Sequence, residues 1–304
     1  MAQTVRRKKR KGLGTVAKVL IFIAIAAVFA GYVFPLFWMG VTSFKTKVQI
    51  YDTKPKLIFT PTLDNYRVVA GRSAGAATTI GEGGAGAKGA AITFVGSMTR
   101  SIIVTVLSTL LATTLGTMAG YVLSRYKIRA KDDLMFFILS TRMLPPIVAL
   151  IPIFLLFVNI GLKDTLVGFI ILYTNFNLAF SVWIMKGFFD DVPFLFEEAA
   201  MCDGYTRLRA FFKVVLPMVT TGLAATAMFC GIMIWNEYLF GLVLGPRKWT
   251  LMPPAISNLS YDTEGVIWGV LTSSSLIYIL PVLVFTYLIR KQLLRGVTFG
   301  VIRG

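Results

Sequence analysis

There is no histidine among the 304 residues, and cysteine occurs only at Cys202 and Cys230. Without histidine and without a paired-cysteine motif, the usual ligand sets for structural zinc or haem are missing, and acid–base catalysis loses its commonest side chain. Cys202 falls in a polar stretch and Cys230 in an apolar run, so no disulfide between them is expected. Acidic residues are scarce as well: 14 Asp and Glu stand against 31 Lys and Arg, for a net charge of +17. A nucleic-acid binder gathers such an excess on one solvated face. Here the basic residues flank apolar runs instead, and no nucleic-acid partner is expected. No phosphate loop of the form GxxxxGKS or GxxxxGKT occurs, so nucleotide hydrolysis is not expected of this chain.

What is abundant is apolar. With 56% hydrophobic and 15% charged residues and a mean hydropathy of +0.74, the chain reads as an all-α integral membrane protein. Six apolar runs, at 18–42, 100–123, 134–159, 165–187, 216–242 and 266–289, each approach the ~20 residues needed to cross a bilayer. A basic cluster from Arg6 to Lys11 precedes the first run, as in a signal peptide. That run is too long for one, and Pro35 and Trp38 near its end do not fit a cleavage site. With six spans, the cluster falls on the same side as Arg125, Lys127, Arg129 and Lys131, as Lys186, Arg207, Arg209 and Lys213, and as Arg290, Lys291, Arg295 and Arg303. The positive-inside pattern then puts both termini in the cytoplasm. The divisions follow: a basic N-terminus at 1–17, the first span at 18–42, a periplasmic loop at 43–99, a five-helix core at 100–289 and a cytoplasmic tail at 290–304. From Ala70 to Ala91 the periplasmic loop turns to Gly, Ala, Ser and Thr, which have little to bury and read as a loose linker. No heptad or inverted repeat is evident.

The longest hydrophilic stretch between two core spans, 188–215, reads as two short helices broken at a glycine. Asp191 and Pro193 suit the start of the first, and Glu197 and Glu198 place negative charge on its unpaired N–H groups. Gly204 suits a left-handed helix end. The second helix would align Tyr205, Leu208, Phe212 and Val215 on one face. The ordered set Glu198-Ala199-Ala200, Asp203-Gly204 and Leu216-Pro217 resembles the EAA loop of permease subunits in binding-protein-dependent ABC importers. A second proline usual after Leu-Pro in that family is replaced here by Met218-Val219-Thr220-Thr221.

Polar groups inside the apolar runs are costly and therefore informative. Arg142 lies in the third run beside Pro145, Pro146 and Pro152, which would bend it. It is either a snorkelling anchor or part of a polar path. In the fourth run Tyr173 and Asn177 share a face while Asn175 points elsewhere; amides and aromatic rings suit a polyhydroxylated ligand, and interhelical hydrogen bonds suit them equally. Ser274 and Tyr278 in the last run carry the same two readings. Trp235-Asn236-Glu237-Tyr238-Leu239-Phe240 resembles the WNEFLFAL run of carbohydrate permeases, where it belongs to the outward half of the pathway. Residues 295–304 resemble the C-terminal RGLTAGAVKG of the maltose and glycerol-phosphate subfamily, with Val297, Phe299 and Arg303 as departures.

The resemblance implies a type I ABC importer permease fold with six transmembrane helices and a cytoplasmic coupling helix. It also implies import of a sugar, polyol or glycerol-phosphate-like molecule across a bacterial inner membrane. Glu197, Glu198, Ala199, Ala200, Asp203, Gly204, Leu216 and Pro217 would couple to an ATPase, with Glu197 or Glu198 pairing with a basic residue there. The substrate would meet Arg142, Tyr173, Asn175, Asn177, Asn236, Glu237, Ser274 and Tyr278. The chain would bind no cofactor; ATP and Mg would belong to two ATP-binding subunits, and a second homologous permease, a periplasmic binding protein and membrane lipids would complete the partners. A secondary transporter or channel is the alternative, and a polytopic membrane enzyme a more distant one.

Overall fold

The computed structural model describes residues 14–71, 85–259 and 266–301, and for residues 15, 85–93 and 288–301 the backbone alone. The basic N-terminal cluster, residues 72–84 of the Gly/Ala-rich stretch and the side chains of the C-terminal motif lie outside the described residues. Every element described is helical. In order these are α1 (Thr15–Ser43), α2 (Lys47–Ile50), α3 (Asp64–Val69), α4 (Ala85–Arg125), α5 (Lys131–Ser140), α6 (Pro146–Asn159) and α7 (Leu166–Asp190). Then come α8 (Leu195–Cys202), α9 (Arg207–Ala210), a π-helical turn (Phe211–Val215), α10 (Leu216–Met218), α11 (Thr220–Trp235), α12 (Leu239–Leu244), α13 (Met252–Asn258) and α14 (Trp268–Val301).

Among the described residues, four helices are long and apolar enough to cross a membrane, or five if the bent pair Arg207–Met218 and Thr220–Trp235 counts as one. The sequence led us to expect six transmembrane helices, the third of them bent at its prolines. Two of the six are divided. The run at 134–159 is divided between α5 and α6, because Pro145 and Pro146 disfavour helical backbone in the residues before them and remove two N–H donors. The run at 216–242 is bent by 76° at Val219 and interrupted again after Trp235, so only α11 is continuous within it. Two helices also extend beyond the apolar runs. α4 starts at Ala85, so the end of the Gly/Ala-rich stretch extends the second span as helix rather than loop; alanine favours helix, and adding to an existing helix avoids the cost of a new nucleus. Likewise the backbone of α14 is helical to Val301, through most of the stretch read as the C-terminal tail.

The packing is that of a protein in lipid. Phe22 and Tyr32 on α1 are 73% and 78% exposed, as are large apolar groups along the other long helices, because lipid solvates them as well as a core would. Small residues are buried instead. α4 and α7 meet at Gly116 and Gly120, where a Cβ on Gly116 would stand 2.1 Å from Ser181 Oγ and one on Gly120 2.9 Å from the Lys186 amide nitrogen. Gly222 of α11 meets the Phe188 ring of α7 in the same way. Ser108 and Thr113 of α4, Asn177 and Ser181 of α7 and Thr226 of α11 are buried along these contacts.

Apolar clusters close the two ends. At one end Val104, Phe169, Tyr173, Ile234, Phe240 and Leu251 pack together. There Asp164, in left-handed backbone at φ 58°, accepts the Lys248 and Trp249 amides at 2.8 and 2.7 Å and ties the α6–α7 turn to the loop after α12. Asn65 donates to the Ser43 and Lys45 carbonyls, each at 2.9 Å, and so fastens α3 under the end of α1. At the opposite end Tyr121, Met185, Phe189, Phe211, Val215 and Val219 form a cluster beneath the segment from α8 to α10.

Candidate functional site

The segment between α7 and α11 is an elbow of two short helices. Its corner is a paired C-cap: the Tyr205 N–H donates to Ala200 O at 3.0 Å and the Gly204 N–H to Met201 O at 3.1 Å. Gly204 has φ +84°, the left-handed conformation expected of it, and a Cβ there would meet nothing within 4 Å. Thr206 then starts α9, its hydroxyl accepting from the Arg209 N–H at 3.3 Å.

Two details of the elbow differ from the sequence expectation. Asp191 ends α7 rather than opening α8, whose N-terminus at Phe194 has no side-chain cap. The inward face after the corner is Ala210, Phe211, Val215 and Val219, whereas Leu208 and Phe212 are exposed. The π turn inserts an extra residue per turn and shifts the register, and the Tyr121 ring, 4.5 Å from that of Phe211, fixes which side faces in.

The paired acidic residues separate sharply. Glu198 is exposed, with Ala199 beside it. Glu197 is turned inward and is not open to another chain: the Tyr121 hydroxyl donates to its Oε1, and Arg125 Nε stands 3.2 Å from its Oε2. Side-chain exposures of 6% for Arg125 and 3% for Glu197 make this a buried ion pair. The pair is held by charge rather than by an aligned N–H, because its facing atoms do not meet hydrogen-bond geometry. Arg125 spends an aligned donor elsewhere, Nη2 donating to Val192 O at 2.9 Å, and its guanidinium lies 5.4 Å from the Phe194 ring. Next to it Ser124 donates to Asp190 Oδ1 at 2.6 Å, Lys186 donates to Asp190 Oδ2 at 2.5 Å, and the Arg207 guanidinium lies over the Tyr126 ring at 5.5 Å. Asp203, Gly204 and Pro217 are exposed, Ala200 is buried and Leu216 is half-buried.

Tyr121, Ser124 and Arg125 were missed from sequence. Their signal was available in a Tyr four residues before an Arg at the end of an apolar run, a spacing that aims both side chains at one neighbour. The Gly116 and Gly120 pair, a GxxxG motif inside a span, was also legible and unread.

The polar residues of the spans fall into separate groups. Tyr173 donates to Glu237 Oε2 at 2.6 Å. Glu237 also accepts from the Phe240 N–H at 3.0 Å and the Gly241 N–H at 3.2 Å, capping α12 after the break in the fifth apolar run. Asn177 donates to Tyr173 O at 2.8 Å and leaves its buried Oδ1 without a partner. Arg142, in the break between α5 and α6, lies over the Phe180 and Phe176 rings of α7 at 4.6 and 5.8 Å. Asn175 and Asn236 are exposed, Asn236 donating to Ile232 O at 2.8 Å. On α14, Ser274 is buried with no partner for its hydroxyl, while Tyr278 donates to Trp235 O and stacks on that indole at 4.8 Å. An apolar cavity of about 530 Å³ opens between α4, α11 and α14, lined by Thr105, Thr109, Gly231, Trp235 and Phe285 among others, and contains none of the eight.

Comparison with known proteins agrees with the fold. Residues 112–298 match the family described as binding-protein-dependent transport system inner membrane component. The chain is 29% identical to the probable ABC transporter permease protein y4oR of Sinorhizobium fredii, over 90% of this chain and 91% of that one. It is 28% identical to the trehalose transport system permease protein SugB of Mycobacterium tuberculosis, over 89% and 92%. Among solved structures, a chain of a bacterial ABC transporter involved in import of the acidic polysaccharide alginate superimposes with a TM-score of 0.75 at 19% identity, over 93% of this chain and 99% of that chain.

Proposed function

The chain belongs to the family of inner membrane components of binding-protein-dependent transport systems, and from that premise we propose that it is the translocation subunit of an importer for a sugar or sugar derivative. It is a multi-pass membrane protein of a transport family, not an enzyme family. The sugar reading is supported by relatives named for trehalose and by a structural neighbour named for alginate. In this reading α5 with α6, and α9 to α12, each make one broken span, giving six crossings with both termini and the elbow in the cytoplasm. The remaining subunits are a homologous permease, two ATP-binding chains holding ATP and Mg, and a periplasmic binding protein.

The observation that carries the proposal is the elbow. A chain without a nucleotide site takes up work done elsewhere only through a surface that is exposed on one face and stiff on the other. α8 has that form: Leu195, Glu198 and Ala199 face outward, while Glu197 and Ala200 are locked against the spans. Glu198 is the carboxylate open to a basic residue of an ATPase. Gly204, with nothing near it, leaves room for a partner's backbone. Displacement of α8 passes through the capped corner and Leu216-Pro217 to α11, and through Asp190 and Asp191 to α7. Arg142, Asn175 and Asn236, exposed or half-exposed, are the polar side chains open to a substrate path. Tyr173, Asn177, Glu237, Ser274 and Tyr278 shape the helices behind them.

The test is Glu198→Lys in the whole complex. Reversing one exposed charge leaves the buried side of α8 untouched, so the chain inserts normally while ATPase recovery on purification falls about tenfold, the equivalent of ~1.4 kcal/mol at the interface. Unchanged recovery would remove the elbow from the docking surface.

A further inference from the structure

The last turns of α4, with Tyr126 just beyond them, touch α8, its lead-in, α9 and the π turn, although the chain joins the elbow only to α7 and α11. Tyr121 and Arg125 hold Glu197 of α8; Arg125 also holds Val192 and Phe194 in the lead-in; Ser124 holds Asp190 at the end of α7; and Tyr126 lies under Arg207 of α9. The Arg125 and Glu197 side chains are buried, so water does not weaken the pair, and breaking it would strand a charge in a low-dielectric site. From these contacts we infer that Tyr121, Arg125 and Glu197 are positioning residues that make α4 and α8 one moving body, so that elbow motion enters the membrane through α4 as well as through the two spans covalently attached to it.

This rests on the elbow being the docking surface, and adds a claim that docking alone does not make. If the elbow merely sat on α4, it would slide over the helix during the cycle. Fixed by a buried charge pair and a tyrosine hydroxyl, it carries α4 with it. α4 is packed against α7 at Gly116 and Gly120, so the movement reaches the small-residue seam at the middle of the bundle.

The experiment uses the reconstituted complex. Cys202, exposed on α8, is spin-labelled together with Met118→Cys on α4 or Leu283→Cys on α14, with buried Cys230 replaced by Ala. Distances are measured without nucleotide and with a non-hydrolysable ATP analogue. The expected result is a constant 202–118 distance and a changed 202–283 distance. In Glu197→Gln the 202–118 distance then varies with nucleotide, and substrate moved per ATP hydrolysed falls about fivefold while ATPase activity stays within about twofold. Rescue of that ratio by the swap Arg125→Glu with Glu197→Arg would support the pair directly. A 202–118 distance that already changes in the parent overturns the inference, as does a constant 202–283 distance or an unchanged transport ratio in Glu197→Gln. If the variant fails to assemble, the parent distances decide alone. If the parent recovers no ATPase, it is the docking reading that fails.

Discussion

Gly116→Ala is the sharpest probe of how the spans are held together. The added methyl would stand 2.1 Å from Ser181 Oγ, 2.4 Å from Ser181 Cβ and 2.9 Å from the Ser181 carbonyl carbon. Reaching ordinary contact requires α4 and α7 to separate by about 1 Å, and close-packed interiors resist such a shift, with overpacking costs of ~1–3 kcal/mol. Ser181 offers no escape, since it is fully buried and the third contact is with its backbone. Gly187→Ala, on the same α7 with nothing within 4 Å, serves as the control; it should be neutral, or more stable by up to about 1 kcal/mol because alanine favours helix. Unfolding the purified chain in mixed micelles by increasing SDS fraction, followed by helical circular dichroism, reads the difference. Ser181→Gly relieves two of the three contacts, so the double variant with Gly116→Ala should regain more than half of the loss, a coupling of about 1 kcal/mol. Equal stability of Gly116→Ala and Gly187→Ala would refute the claim that backbone proximity at this crossing holds the pair.

Two further substitutions address the other ends of the molecule. Gly204→Asp puts a side chain on a left-handed residue, where L-residues lose ~1–2 kcal/mol, and into the space a docking partner would use; the chain should insert normally yet show uptake reduced at least tenfold, measured against ATPase activity in proteoliposomes. Glu237→Ala removes the acceptor for Tyr173 and for two N–H groups of α12, and should cost ~1–3 kcal/mol in the same micelle titration, while Glu237→Gln, which keeps one acceptor, falls between.

Residue types at fixed spacing were enough to read the elbow, and the contacts that brace it were out of reach. Gly204 announces its left-handed turn because few other residues tolerate one, and the apolar runs announce α1, α4, α7 and α14 because a continuous apolar run of about 20 residues satisfies its backbone in lipid only as a helix. Sequence spacing alone could not tell that Glu197 faces in and Glu198 out, since adjacent helical residues differ by 100° and either choice buries one carboxylate. The choice is made by Arg125, 72 residues earlier, and long-range pairs leave no local pattern. The third and fifth runs show a different failure. Hydropathy registers the apolar character of 134–159 and 216–242 but not backbone continuity; Pro145-Pro146 carried a warning of the first break, whereas the interruption at Asn236 depends on Glu237 finding Tyr173 and the amides of α12. The substrate candidates keep two readings for a related reason. A Tyr or Asn inside a span reads the same from sequence whether its partner is a ligand or a neighbouring helix, and Tyr173 and Tyr278 both donate to groups of this chain.

Those same breaks bear on how the fifth run moves. α11 has 16 residues, about 24 Å of helix at 1.5 Å per residue, against ~30 Å of hydrocarbon. Its lower end meets the π turn and Pro217 through the 76° bend at Val219, and its upper end meets the interruption at Asn236. A continuous helix clamped at both ends tilts only by straining its own hydrogen bonds. A short rod between two breaks tilts by turning a few loop dihedrals, with its ladder intact. In the proposed coupling, a push at α8 reaches the bend at Val219, while Glu237, which caps α12, ties the segment after Asn236 to α7 through Tyr173, so that α11 would turn about its upper end. On that proposal the stiffness lies in the buried charge pair and the α12 cap and the compliance at Val219 and Asn236, a division that would let a single exposed helix turn force at one membrane face into movement at the other.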